Sequence, residues 1–383
     1  MKPNRPLPSC EEKSKLHSLM EMAALMNSSL DPEVIRQMAV SVATTSVGAD
    51  AASLLLLDHE TEELYFEAAS GEKGQSLKRI RLKPGQGIAG WVARKGGSLL
   101  IDDVRLDKRF HSGIDKMTGY ETRSMIAVPV SSRERMLGVL QALNKRAGYF
   151  TQDDLDILET LANQVGTAIE NALLFQEQRE TFLGITVAFA EALEKRDKYT
   201  GGHTRRVCDY SMAIARQIGL TSILTEELHI SAILHDIGKI GVADRILQKP
   251  GKLEPDEFKE MCSHPQIGSD ILEHVKSLRK MLGGVRHHHE KFDGTGYPDG
   301  KKGEQIPLIA RIIAVADAFD AMTSNRSYRK SLDIETALKE LEIFSGRQFD
   351  PQVVEAFMQA YRSGELSNIW DDCTGNEIST SSL

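Results

Sequence analysis

Residues 232–240 read Ala-Ile-Leu-His-Asp-Ile-Gly-Lys-Ile, which sets His235 and Asp236 side by side in an otherwise apolar stretch, with Lys239 close behind. Burying two ionisable groups there is costly unless something pairs with them. A metal ion satisfies an imidazole and a carboxylate together. Other residues of the same kind follow. His203 comes after the Gly201-Gly202 break and starts a helix, and His264 precedes Pro265 at another helix start. His288-His289 end a helix before the loop Asp293-Gly294-Thr295-Gly296-Tyr297-Pro298, and Asp317 lies within the apolar run Ile312–Phe319. Eight of the eleven histidines fall between His203 and His289. Any one of them alone is more often a satisfied core or surface histidine than a ligand. Seven imidazoles and carboxylates at helix ends and in apolar helix interiors point to a metal centre. Histidine and carboxylate without cysteine suit iron, manganese, zinc or nickel, and the residue types do not choose among them. His229 and His274 read as structural or solvated.

The elements that must position these groups are helices. Residues 188–193, 207–218, 226–240, 256–262, 266–275, 308–323, 335–343 and 353–361 all suit helices, and no alternating strand stands out after about residue 181. The first half reads differently. Asp31-Pro32-Glu33 is a helix start, with a capping side chain, a proline at the first helical position and an acid near the dipole; its helix runs to about Val47. Strand-like segments follow at 51–57, 64–69, 79–82, 124–130 and 136–143, separated by turn signals such as Ser70-Gly71 and Ser131-Ser132. A helix, several strands and a closing helix predict an α+β domain around an antiparallel sheet. Gly85-Gln86-Gly87-Ile88-Ala89-Gly90 has the GxGxxG letters, but Asp102 and Asp103 come too early for the acid of a dinucleotide site. It reads instead as a glycine turn starting a short helix over the sheet.

Bulk properties narrow the function. The 383 residues carry 47 basic and 55 acidic side chains, a net charge of −8 without a Lys/Arg block, which argues against nucleic acid as a partner. Cys10, Cys208, Cys262 and Cys373 form no CxxC pair, so neither a disulfide framework nor a cysteine zinc site is expected. The N-terminus lacks an apolar signal core, and no run is long enough for membrane insertion. A soluble cytoplasmic protein of two domains is the expectation. Residues 1–14 form a leader, and the polar stretch 363–383 is expected to be disordered. Thr151–Asp154 starts a long connector over 151–195, on which Leu158, Leu161, Val165, Ala168, Ala172, Phe175, Phe182, Phe189 and Leu193 keep a seam. That seam predicts a parallel homodimer coiled coil carrying state from the first domain to the second; the alternative is that its first half packs on the first domain.

Gly87-Ile88-Ala89-Gly90-Trp91-Val92, Ile101-Asp102-Asp103-Val104 with Asp107 and Arg109-Phe110, and Leu143-Asn144-Lys145 with Phe150 and Asp153-Asp154 resemble a GAF domain over residues 15–175. The resemblance implies a sensor that takes a small ligand not specified by the sequence, or none. Asn144 and Lys145 resemble a nucleotide-binding pair, with capping of the last strand as the structural alternative.

The second half is similar to the HD-GYP family over residues 190–362. The match runs through His203-Thr204-Arg205-Arg206-Val207, His235-Asp236-Ile237-Gly238-Lys239-Ile240, His264-Pro265 with Gly268, and His288-His289-Glu290 with Asp293-Gly294 and Gly296-Tyr297-Pro298. It continues through Val315–Thr323 with Arg326, Tyr328 and Arg329, and closes at Gln348–Pro351. This resemblance implies an all-α domain that hydrolyses cyclic di-GMP to pGpG, and further to GMP in some members, at a centre of divalent metals. By position, His203, His235, Asp236 and Asp317 would hold one ion and Asp236, His264, His288 and His289 the second, with Asp236 shared. Iron or manganese is expected, with zinc or nickel as alternatives. Lys239 would face the scissile phosphate, and Asp293, Gly296, Tyr297 and Arg326 would meet the substrate. Members with a third metal carry a glutamate where this chain has Tyr199, so two ions are expected. His287 lies outside the motif. The competing readings are a degenerate receptor that signals without catalysis, which the complete ligand set disfavours, and a hydrolase of a mixed cyclic dinucleotide.

Overall fold

The computed structural model describes residues 29–70, 80–133, 135–196, 202–324, 331–367 and 369. The leader, Cys10, Arg79, Tyr199, Arg326, Tyr328, Arg329 and Cys373 lie outside them. The chain forms two compact units, Met1–Arg179 and Glu180–Leu383.

The first unit is the expected α+β domain. Helix α1 (Pro32–Ser46) starts as its sequence requires: Asp31 caps it by accepting from the Glu33 amide, and Pro32 takes the first position. Six antiparallel strands follow, β1 (Ala49–Leu57), β2 (Leu64–Ala69), β3 (Arg81–Leu82), β4 (Leu99–Ile101), β5 (Met125–Ser132) and β6 (Arg135–Lys145), in the spatial order β3-β2-β1-β6-β5-β4. Strand β4 went unseen in the sequence because three residues are too few to show alternation. Helix α2 (Gly87–Lys95) opens from the glycine turn, where Gly85 and Gly87 take φ of +76° and +71°. Helix α3 (Gly113–Thr118) lies between β4 and β5.

One sheet face packs Leu54 and Leu140 against Ile35 and Ala39 of α1 and against Leu158 and Val165 of the closing helix. The other buries Leu55, Phe66 and Val139 beneath Ile88 and Val92. On that second face a cavity of about 410 Å³ is lined by Phe66, Ile88, Phe110, Met125 and Gln141, among others. Asn144 and Lys145 are built into the framework. The Asn144 side chain accepts from the Arg123 and Ser124 amides and donates to the Glu121 carbonyl. Lys145 bonds both carboxylate oxygens of Asp154 at 2.8 Å and the Val47 carbonyl at 2.9 Å.

Helix α4 (Gln152–Glu194) runs 43 residues. Thr151 and Asp154 cap its start reciprocally, each backbone amide donating to the other's side chain. Leu158, Leu161, Val165, Ala168 and Ala172 are buried in the first unit's core, while Phe182, Leu183 and Ala190 pack in the second. Leu173, Leu174, Phe175, Ile185 and Phe189 are exposed.

The second unit is helical. Its elements are α5 (His203–Ile218), α6 (Ser222–Leu234), α7 (Asp244–Leu247), α8 (Pro255–Met261), α9 (His264–Glu273), α10 (Leu282–His287), α11 (Leu308–Thr323), α12 (Ile334–Ile343) and α13 (Pro351–Arg362). Tyr210, Phe319 and Phe357 lock α5, α11 and α13 together, with ring centroids 4.7–5.9 Å apart. Two expectations need correction. The helix drawn from 226 to 240 ends at Leu234; His235 caps it, and a 3-10 turn (Ile237–Gly241) follows. The tail expected to be disordered from 363 is placed through 367, because Leu366 is fully buried in the helical core and Glu365 accepts from Gln217 at 3.1 Å.

Asp154 supplies a test of the first unit. Burial alone would raise its pKa, but the Lys145 ammonium and the Thr151 amide hold it below the usual carboxylate range. A carboxyl depressed in the fold stabilises above its unfolded pKa, and that contribution fades as pH falls through the folded value. Asp154→Asn should therefore lower this unit's stability by about 2 kcal/mol at neutral pH. In urea unfolding at several pH values, the gap to the wild type should close below about pH 4.

Candidate metal centre

Each of the seven side chains is delivered by the end or interior of a helix. His203 is the first residue of α5, His264 the first of α9, and His288-His289 follow α10 directly. Asp317 lies within α11. The break after α6 matters for the pair that began the sequence reading. In a continuing α-helix, neighbouring side chains point about 100° apart. With Asp236 instead at φ −97°, ψ 5° at the head of the 3-10 turn, it and His235 turn toward the same point. Gly238 lets that turn approach α9 closely. A Cβ on Gly238 would stand 1.8 Å from the His264 carbonyl oxygen and 2.5 Å from the Gly268 nitrogen.

All seven residues come together. Potential ligand atoms of Asp236, His264, His288 and His289 lie within 4.8 Å of one another, and so do those of His203, His235 and Asp236. Asp317 Oδ1 is 3.5 Å from His203 Nε2. Asp236 belongs to both groups: Oδ1 is 3.2 Å from His264 Nε2, and Oδ2 is 3.4 Å from His235 Nε2 and 3.8 Å from His203 Nε2.

The hydrogen bonds fix which ring nitrogen carries the proton. His235, His264 and His288 place Nδ1 2.7 Å from the carbonyls of Ala232, Met261 and Val285. Carbonyls only accept, so each Nδ1 donates and each Nε2 presents a lone pair to the cluster. His203 does the same toward Asp320, whose Oδ2 is 2.7 Å from Nδ1. Burial would raise the Asp320 carboxyl, but His203 and the Arg206 guanidinium hold it down and ionised. In their neutral forms these four rings turn acceptors, not donors, toward the cluster. His264 Nε2 and His288 Nε2 face each other at 3.3 Å, and His235 Nε2 is buried without a hydrogen-bond partner. Orphaned acceptors of this kind are rare in folded proteins. A divalent cation fits them.

The electrostatics agree. Burial and the neighbouring imidazoles hold His288 and His289 well below the usual histidine range, keeping them in the neutral form that ligates. Burial opposes charge on Asp236, yet Lys239, His235 and His264 keep its carboxyl well below normal. His235 goes the other way. Burial would lower it, but Asp236 and Asp317 together push it up to about 9. The field that draws a proton to His235 Nε2 draws a metal ion to the same lone pair, and the two compete.

A cavity of about 770 Å³ opens over the cluster. Lys239, Lys249, Lys252 and Lys291 stand on its wall with Phe258 and Tyr297. Lys239 Nζ is 2.6 Å from Asp236 Oδ2. The Tyr297 ring packs against His289 with centroids 5.0 Å apart. Asp293 and Gly296 are not on this wall. The Asp293 carboxylate accepts from the Thr295 amide and hydroxyl within its own loop, and Gly296 backs onto the Lys291 nitrogen. His287 belongs to a neighbouring brace, 3.0 Å from an Asp299 carboxylate that Arg286 also clamps. Asp320, Gly238 and Gly268 are the participants that sequence reasoning left without a role. Asp320 could have been found from its place one helical turn beyond Asp317.

The sequence models of two families match this chain: the HD domain over residues 188–353 and the GAF domain over residues 31–169. Among characterised relatives, a cyclic di-GMP phosphodiesterase of Thermotoga maritima is 39% identical over 64% of the chain and 66% of its own length. A cyclic di-GMP phosphodiesterase of Pseudomonas aeruginosa is 44% identical over 44% of the chain and 41% of its own length. A 3'3'-cGAMP-specific phosphodiesterase of Vibrio cholerae is 36% identical over 54% of the chain and 40% of its own length. The chain thus spans less than two thirds of the length of each of these relatives.

The close approach at Gly238 can be tested directly. Gly238→Ala forces the 3-10 turn and α9 apart and should destabilise the helical unit by about 3 kcal/mol. Urea unfolding followed by circular dichroism should show an earlier midpoint; an unchanged midpoint would mean that the two segments separate without penalty.

Proposed function

We propose that this chain, in which a GAF domain precedes an HD domain, is a metal-dependent phosphodiesterase that hydrolyses a cyclic dinucleotide, with cyclic di-GMP as substrate and linear pGpG as product. The observation that carries the proposal is the ring of lone pairs around Asp236, with Lys239 beside it on the wall of a cavity of about 770 Å³. His203, His235, Asp236 and Asp317 would hold one ion; Asp236, His264, His288 and His289 would hold the other. Iron or manganese suits this nitrogen- and oxygen-rich set. When bound, the ions supply Lewis-acid activation of a phosphodiester and of water.

The chain's own residues contribute the rest. Lys239 offers a fixed ammonium where negative charge grows on the phosphoryl oxygens. Asp320 and Arg206 keep His203 in the tautomer with Nε2 free. Tyr297, braced by His289 and Phe258, presents an aromatic surface at the cavity, suited to a nucleobase. The lysines on the wall suit a doubly anionic substrate.

Helix α4 would link sensor to enzyme. Its exposed Leu173, Phe175, Ile185 and Phe189 support a parallel homodimer along the helix. The cavity on the first unit's sheet leaves room for a regulatory ligand. Among the described residues, no helix is long and apolar enough to cross a membrane.

The test is one anaerobic preparation assayed for metal content and for products formed from cyclic di-GMP and from 3'3'-cGAMP. Hydrolysis should yield pGpG from the first, and a preference for the second would reassign the substrate. Asp236→Ala should reduce the rate by roughly two orders of magnitude or more, about 3 kcal/mol of lost barrier lowering. It should also lose bound metal while keeping its helical circular dichroism. Retention of both metal and activity would remove the shared-carboxylate assignment. For the dimer, light scattering should give twice the chain mass, shifting toward monomer in a Phe175→Asp/Phe189→Asp variant; a strictly monomeric wild type contradicts it.

A further inference from the structure

Two side chains at the end of α4 reach both segments that meet at the ligand cluster. Glu194, the last residue of that helix, accepts from the Gly202 amide at 3.2 Å and from the Thr204 amide through its other oxygen. These amides flank His203, the first residue of α5. Gly202 sits at φ +71°, where a side chain is strained, and offers no cap of its own. The carboxylate of Glu194 thus caps α5 from another helix and complements its dipole. Arg196, two residues on, grips the other segment. Its guanidinium lies 2.7 Å from Asp244 Oδ1, 2.9 Å from the Ile240 carbonyl and 3.4 Å from the Val242 carbonyl. Ile240 belongs to the 3-10 turn that Asp236 precedes and that carries Lys239.

We infer that Glu194 and Arg196 are positioning residues through which the end of α4 sets where His203 stands relative to Asp236. Their bonds described above are to backbone amides, backbone carbonyls and Asp244, not to the candidate ligand atoms. One holds the backbone on either side of His203, and the other holds the backbone that follows Lys239. The Nε2–Oδ2 separation of His203 and Asp236, 3.8 Å, lies between these two anchors. A displacement of the helix end would act first on that separation, because Glu194 and Arg196 grip the backbone beside His203 and after Lys239, whereas His264, His288 and His289 stand on α9 and directly after α10. The inference rests on the metal-dependent reading above and adds the point at which the connector enters it.

The test is Mn²⁺ binding to metal-free protein by chelator competition, with apo-protein melting measured alongside. Glu194→Gln keeps the size but can accept only one of the two amides. It should weaken one of the two ions by about 10–100-fold and leave the other unchanged. Arg196→Ala should weaken both ions, because Asp236 is shared, and Arg196→Lys should restore part of the loss. Unchanged binding of both ions in Glu194→Gln would overturn the inference. Equal weakening of both ions in that variant, together with a lowered apo melting temperature, would overturn it too, by showing only a structural role. A wild-type protein that takes up two ions separates these outcomes from failure of the metal reading; one that takes up none would overturn that reading and this inference together.

Discussion

Buried imidazoles with their Nδ1 protons already committed set the terms for the helical unit. Three of the four donate to carbonyls of their own local backbone, and the fourth to Asp320. In the neutral form none can turn its ring to donate inward without giving up a bond of 2.7 Å. The cluster therefore presents lone pairs and carboxylate oxygens to one another, an arrangement that a cation stabilises and its removal leaves in conflict. Lys239 offsets part of this charge, but one ammonium at 2.6 Å from Asp236 cannot reach every acceptor.

The helical scaffold exists in the form that this constraint requires. Ligands placed at first helical turns and last turns inherit the rigidity of the core without occupying its interior. Tyr210, Phe319 and Phe357 fix α5 against α11, and so fix His203 against Asp317. Gly238 and Gly268 allow the backbones of the 3-10 turn and α9 to touch, and so bring Asp236 to His264. The termination of α6 at Leu234 is the least regular feature of the unit and the most consequential, because it turns two adjacent residues toward one point.

Much of this was legible in the sequence. The polar residues out of place in apolar helices identified the cluster, and the α+β and all-α halves followed from a change of periodicity. What escaped shares a physical cause: it depends on contacts between segments distant in the chain. The apolar pattern from 226 to 240 reads as one helix, whereas the helix ends at Leu234 and the following turn lies against α9. Asp320 shares a helix face with Asp317, but its role shows only where His203 and Arg206, more than a hundred residues earlier, converge on it. Asp293 looked available to substrate, but its carboxylate closes its own loop. Strand β4 was too short for its pattern to register.

In the proposed function the cluster holds two cations that share Asp236. Crystals grown with Mn²⁺ and measured near the manganese edge test it most directly. The anomalous difference map should show two peaks, one beside His203, His235 and Asp317 and one beside His264, His288 and His289, with the Asp236 carboxylate touching both. A single peak, or peaks away from these side chains, would contradict it.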